Sequence, residues 1–148
     1  MRRAIVMLAV LIGTANIAHA DNDFFCSADS KGERFTLETG FDEGLGHKLT
    51  NFTGALSVKD TSAVSSAFGR RIFGPDDLVN HWPNDGEIRL EVYQKGESET
   101  HFQSLDLIVM ANEKAKASGG SFSGTYVLRI EGPSASYHAE GKVSCGTK

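Results

Sequence analysis

Tyr137-His138-Ala139-Glu140-Gly141-Lys142-Val143-Ser144-Cys145 decides the fold. Its odd-numbered residues are apolar or small, and its even-numbered residues are polar or charged. A period of two marks a strand with one face in a core and the other in water. It points Cys145 inward. The same period recurs upstream. Phe122, Gly124, Tyr126, Leu128 and Ile130 share a face opposite Ser123, Thr125, Arg129 and Glu131, and Gly132-Pro133-Ser134 breaks the pattern. The two runs read as a hairpin.

Working outward, Ile88, Leu90 and Val92 alternate with Glu87, Arg89 and Glu91, and Lys95-Gly96-Glu97 supplies a turn. A strand over about Glu99 to Ala111 carries Leu105, Leu107 and Val109 on one face. Its other face is mixed, with Ser104 and Asp106 beside Phe102 and Ile108. Arg34 to Glu38 offers Phe35 and Leu37, and Lys48 to Lys59 offers Phe52, Gly54, Leu56 and Val58. With Phe24 to Ser27 this makes at least seven strands separated by glycine-rich or polar turns. The pattern is that of an all-β domain, an antiparallel β-sandwich or a small β-barrel. One short helix is expected near residues 75–82, where Pro75, Asp76 and Asp77 form a helix start and Pro83 ends it. Thr61 to Gly69 reads as helix or loop. Ala111 to Gly120 is a polar loop.

The first twenty residues read differently. Arg2 and Arg3 precede the apolar run Ala4 to Ile12, and Ala18-His19-Ala20 places small residues where a signal peptidase reads. This is the order of a cleaved secretory signal, and the run is too short to span a bilayer. Residues 1–20 are expected to be removed, leaving a single domain over 21–148. Cys26 lacks the context of a lipid-attached cysteine. The short positive start is bacterial in style, so a periplasmic or secreted location is expected. Losing Arg2 and Arg3 moves the net charge from −4 to −6. Such a surface argues against nucleic acid and anionic membranes as partners.

Cys26 and Cys145 are the only cysteines of the 148 residues. They lack the Cys-x-x-Cys spacing of a redox centre or a metal site. In an oxidising compartment the pair reads as one disulfide joining the ends of the domain. The first and last segments must then be neighbours, on adjacent strands or on facing strands of two sheets.

Signs of catalysis are sparse. His47, His81, His101 and His138 show no local metal-ligand spacing, and no cofactor is expected. In Gly120-Ser121-Phe122-Ser123-Gly124 the middle position of a nucleophile elbow is Phe122. Asp76-Asp77 is explained by the helix start, and Asp42-Glu43 lacks a partner across a cleft. Asp106 is flanked by apolar residues; if buried, its pKa should rise or it should find a partner. His81 and Trp82, the only tryptophan, form a candidate ligand-facing pair.

Ser118-Gly119-Gly120-Ser121-Phe122 resembles the Ser-Gly-x-x-Tyr motif of the periplasmic c-type lysozyme inhibitors, with Phe122 in place of the tyrosine. These are exported small β-barrels with a cysteine bridge. The resemblance covers five residues, and the second motif of that family is not evident. It implies that the Ser118 loop, with Gly119, Ser121 and Phe122, enters the cleft of a cationic lysozyme. An acidic surface would assist that encounter. The residues therefore favour an exported, non-enzymatic binding or accessory protein with a protein partner. Two alternatives stand beside it: a lysozyme inhibitor-like protein, and a carrier or enzyme using a barrel interior through His101, Asp106 or His138.

Overall fold

The computed structural model describes residues 22–42, 48–60, 62, 64, 68–84, 86–96, 103–114 and 120–147. Residues 1–20, where a cleaved signal is expected, lie outside the described residues, as do His47, His101, and Ser118 and Gly119, the first two of the five residues of the Ser118–Phe122 motif.

The described residues form nine strands: β1 Asn22–Asp29, β2 Glu33–Asp42, β3 Lys48–Val58, β4 Arg70–Phe73, β5 Leu78–Asn84, β6 Glu87–Lys95, β7 Ser104–Glu113, β8 Ser121–Glu131 and β9 Ser136–Thr147. They make one antiparallel sheet in the order β4-β3-β2-β1-β9-β8-β7-β6-β5, curled into a nearly closed barrel. The choice between sandwich and barrel thus falls to the barrel. β8 and β9 form the expected hairpin, with Ile130 opposite Tyr137.

The alternation found in the sequence is the alternation of burial. Leu90, Val92, Leu105, Leu107, Val109 and Leu128 are at most 1% exposed and fill the interior. Phe24, Phe35, Leu37 and Phe73 meet them from β1, β2 and β4. Phe35 packs edge-on against Tyr126, with ring centroids 5.0 Å apart. Burying such side chains contributes about 1.5–3 kcal/mol each before chain entropy is set against it. Gly124 allows β7 and β8 to approach closely: a Cβ there would meet the Met110 carbonyl oxygen at 1.8 Å.

The helix expected near residues 75–82 is a correction. Only Pro75–Asp77 is helical, as a single 3-10 turn, and Leu78–Asn84 is a strand. The Gly74 N–H donates to Asp77 Oδ2 at 2.8 Å, and the Asp77 N–H donates to the Gly74 carbonyl at 3.1 Å. The helix-start residues therefore close one turn and stop. The next residues take the edge of β6, with Leu78 opposite Val92 and Asn84 opposite Glu87. Tertiary pairing overrides the local helix signal.

Between β4 and the end of β6 the barrel is joined by side chains. Gln94, 9% exposed, donates its amide to the Ile72 carbonyl at 2.9 Å and to Asp77 Oδ2 at 2.9 Å. Its own oxygen accepts from Arg71 Nε at 2.7 Å, and the Arg71 guanidinium lies 5.3 Å over the Phe68 ring.

A buried carboxylate lies near the same end. Glu33 is 3% exposed. Ser30 Oγ donates to its Oε1 at 2.6 Å, the Tyr126 hydroxyl donates to the same oxygen, and the Tyr137 hydroxyl donates to Oε2 at 2.5 Å. Burial pushes its carboxyl up, but the bonds from Ser30, Tyr126 and Tyr137, with Lys59 nearby, outweigh burial and hold it below the ordinary value of 4.5. Burial and the Glu33 contact push the Tyr126 phenol up to about 12. Burial, then Glu33, raises Tyr137 as well.

Cys26 and Cys145 sit directly opposite each other on β1 and β9 and are joined by a disulfide, with Cα atoms 4.0 Å apart and a sequence separation of 119. They occupy adjacent antiparallel strands, the first of the two arrangements expected.

Replacing both cysteines by alanine should lower stability by about 2–5 kcal/mol in urea unfolding; an unchanged midpoint would contradict a structural role. Glu33 contributes stability that is present above pH 4.5 and lost as pH falls through its lowered folded value, because only the unfolded chain takes up the proton at first. Tyr126 contributes stability present below pH 10 and lost as pH rises through about 12. Glu33→Gln should therefore cost about 1–3 kcal/mol at neutral pH. The difference from the parent should shrink in acid unfolding curves below pH 4.5.

Candidate functional site

β5 is one edge of the sheet and pairs with β6 alone among the described residues. Its sequence, Leu78-Val79-Asn80-His81-Trp82-Pro83-Asn84, carries no charged side chain. Edge strands are usually blunted by charge, proline or a bulge. Here the register shifts between Leu78 and Asn80, which leaves Val79 as the extra residue, and Pro83 stands near the end. Val79 is 54% exposed and Trp82 59%. His81 is exposed on the opposite side of the strand from Trp82.

Strand register extends the site across the outer face. Trp82 lies opposite Arg89, Arg89 opposite Met110, and Met110 opposite Thr125. In the next row Asn80, Glu91, Ile108 and Val127 are neighbours. Met110, Ile108 and Val127 are half-buried on the surface of the sheet. Tryptophan, arginine and methionine over a weakly charged centre is a composition suited to a protein interface.

A third outer row holds Tyr93, Asp106, Arg129 and His138. Asp106 Oδ1 is buried without a hydrogen-bond partner among the described residues. Burial raises its pKa, Glu91 raises it further, and Arg129 pulls it partly back. This meets the first of the two expectations for a buried Asp106. Arg129 stands between Asp106 and His138, and both lie on the outer face. The structure does not bring them together in the interior that a carrier or enzyme would use.

The remaining sequence candidates fall elsewhere. Ser121 and Phe122 open β8 and pair with Gly146 and Cys145. The Phe122 ring packs edge-on against buried Phe24, 5.5 Å away, and is partly buried against the core. Register places the start of β8 and the end of β5 at one rim, through Asn84, Glu87, Asn112 and Ser123. Trp82 and Phe122 nevertheless belong to different faces, outer and inner. Val79, Arg89 and Met110 were not visible as site residues in the sequence. The mixed outer face of the Leu105–Val109 strand was the signal that pointed toward Met110. Among the described residues no group of three His, Cys, Asp or Glu gathers as a metal site would require.

No family model, no curated protein and no solved structure matches this chain.

Because ionised Asp106 is poorly solvated, Asp106→Asn should raise the urea midpoint at pH 7. The gain should fade as pH falls and the parent carboxyl takes up its proton. A lower midpoint at pH 7 would mean that the charge is stabilising.

Proposed function

We propose that this chain is an exported, periplasmic binding or accessory protein that engages a protein partner through β5 and the outer face beside it. The observation that carries the reading is an uncharged sheet edge presenting Val79 and Trp82 to solvent beside an interior already filled with side chains. A free edge can take an extended segment of a partner as a further strand. Backbone hydrogen bonds would supply affinity, and Trp82 with its row would supply specificity. The segment that fits is extended and uncharged at its centre, with an apolar residue to cover the indole.

Export is supported by the order of residues 1–20 and by the Cys26–Cys145 disulfide, a bond that persists in oxidising compartments. Among the described residues no helix is long and apolar enough to cross a membrane. The net charge of −6 after loss of Arg2 and Arg3 disfavours nucleic acid.

Envelope fractionation and N-terminal sequencing test the first half of the proposal: the mature chain should begin at Asp21, and a cytoplasmic chain retaining Met1 would refute export. The second half is tested by a photo-crosslinker placed at position 82, 79 or 125 in the exported protein. One discrete adduct should form from positions 79 and 82 and be lost when Trp82→Ala is combined with the crosslinker at 79. Equal labelling from Ser57, on the outer face of β3, would overturn the assignment. Mature protein mixed with c-type lysozyme tests the narrower inhibitor reading directly, and undiminished lysis would sink it.

A further inference from the structure

A second surface lies on β2, β3 and β4. On their outer face Arg34 stands opposite Ser57, and Ser57 opposite Arg70. Neighbouring strands are about 4.8 Å apart. A hydroxyl therefore sits between two guanidinium-bearing residues whose backbones are roughly 10 Å apart. The adjacent row is Thr36, Ala55 and Ile72. Between them the two rows line an open groove of about 510 Å³. That lies within the range of small-molecule sites, about 300–1,000 Å³.

The groove has two chemically different ends. Arg34 and Arg70 make one end cationic. Ala55 and Ile72 make the other apolar, and Ile72 is 73% exposed, the most exposed of the three exposed large apolar residues among those described. Asp29 is the acid facing this end. It is held by Lys59 Nζ at 2.5 Å and lies 3.4 Å from Arg34 Nε in an exposed contact. An exposed pair of that length is weak and leaves the outer edge of the Arg34 fork for another anion.

We propose that this groove binds one molecule of a single-chain amphipathic anion, an alkyl carboxylate or alkyl phosphate. The acid group lies on the Arg34–Ser57–Arg70 row, where planar guanidinium forks suit bidentate contact with carboxylate or phosphate. The aliphatic chain lies over Ala55 and Ile72 and removes Ile72 from water. The source is the monomeric amphiphile and not a membrane surface, because the acidic chain as a whole is repelled by anionic lipid while the groove is cationic only locally.

The test is calorimetric titration of the disulfide-intact mature protein with dodecyl phosphate below its micelle concentration. One saturable site is expected. Arg34→Gln and Arg70→Gln should each weaken it about tenfold or more, with Arg70→Lys intermediate because charge remains and the fork is lost. Ile72→Ser should weaken dodecyl phosphate while leaving any inorganic phosphate binding unchanged. Near-ultraviolet circular dichroism verifies that each variant is folded. Absence of a saturable site, indifference to both arginine substitutions, or equal binding of dodecyltrimethylammonium would overturn the proposal. So would inorganic phosphate binding as tightly as dodecyl phosphate, since the chain would then contribute nothing. Binding to anionic vesicles without binding to the monomer would replace it with a membrane site.

Discussion

The pairing of β1 with β9 is the constraint on which the barrel rests. Every other neighbour pair in the sheet is consecutive in sequence, from β1–β2–β3–β4 on one side to β5–β6–β7–β8–β9 on the other. Without β1–β9 the chain is two separate meanders, each burying one apolar face against nothing. That pairing brings together the most distant parts of the described chain, so it bears the largest loop-closure cost. The Cys26–Cys145 bond removes much of that cost from the folding equilibrium by restricting the unfolded chain. It sits within the pairing itself, flanked by Ser27 opposite Ser144 and Phe25 opposite Gly146. Phe122 on β8 lies opposite Cys145, and its ring packs edge-on against Phe24 of β1.

The other closure, between β4 and β6, is made with side chains. No ladder joins these two strands among the described residues, and backbone groups that a ladder would have satisfied need other partners. Gln94 supplies an amide that behaves as a short piece of backbone, donating to the Ile72 carbonyl and accepting from Arg71. Glu33 plays a comparable part at the Ser30–Glu33 turn, where its carboxylate collects hydroxyls from β8 and β9. Both groups are satisfied, and that distinguishes them from Asp106, whose buried oxygen has no partner among the described residues and whose pKa is raised by burial and then by Glu91.

Much of this was legible in the sequence, and the reason is periodicity. Leu105, Leu107 and Val109, or Tyr126, Leu128 and Ile130, can be buried on one face only if the segment is a strand. The two cysteines could be paired because they had no other partner. The short β5 was misread because Pro75, Asp76 and Asp77 are good helix starters, while the reason for a strand, the open edge of β6, is a tertiary fact. Gln94 and Glu33 were invisible for a similar cause. A polar residue in an alternating run gives no sign that the opposite chain needs its hydrogen bonds. The rows that make up the two candidate surfaces, Trp82–Arg89–Met110 and Arg34–Ser57–Arg70, exist only through register. Alternation fixes which face a residue takes, but it does not fix which residue on the next strand it meets.

The incompleteness of the barrel is also what gives it surfaces to use. A fully closed barrel removes its edges, and with them any place for strand addition. This sheet keeps two edges, β4 and β5, separated by one 3-10 turn. The three large apolar side chains most exposed among the described residues, Ile72, Val79 and Trp82, all lie on those two strands. Random scatter of surface apolar residues does not account for that, since seven other strands offer far more outward positions. Core packing does not explain it either, because all three side chains are more than half exposed. The strands that closure leaves unpaired are the ones that carry exposed apolar groups. At one edge those groups sit on a strand without charged side chains, and at the other on a strand that carries two arginines, Arg70 and Arg71. The same failure of the ladder that requires Gln94 inside the seam thus creates two chemically distinct surfaces outside it.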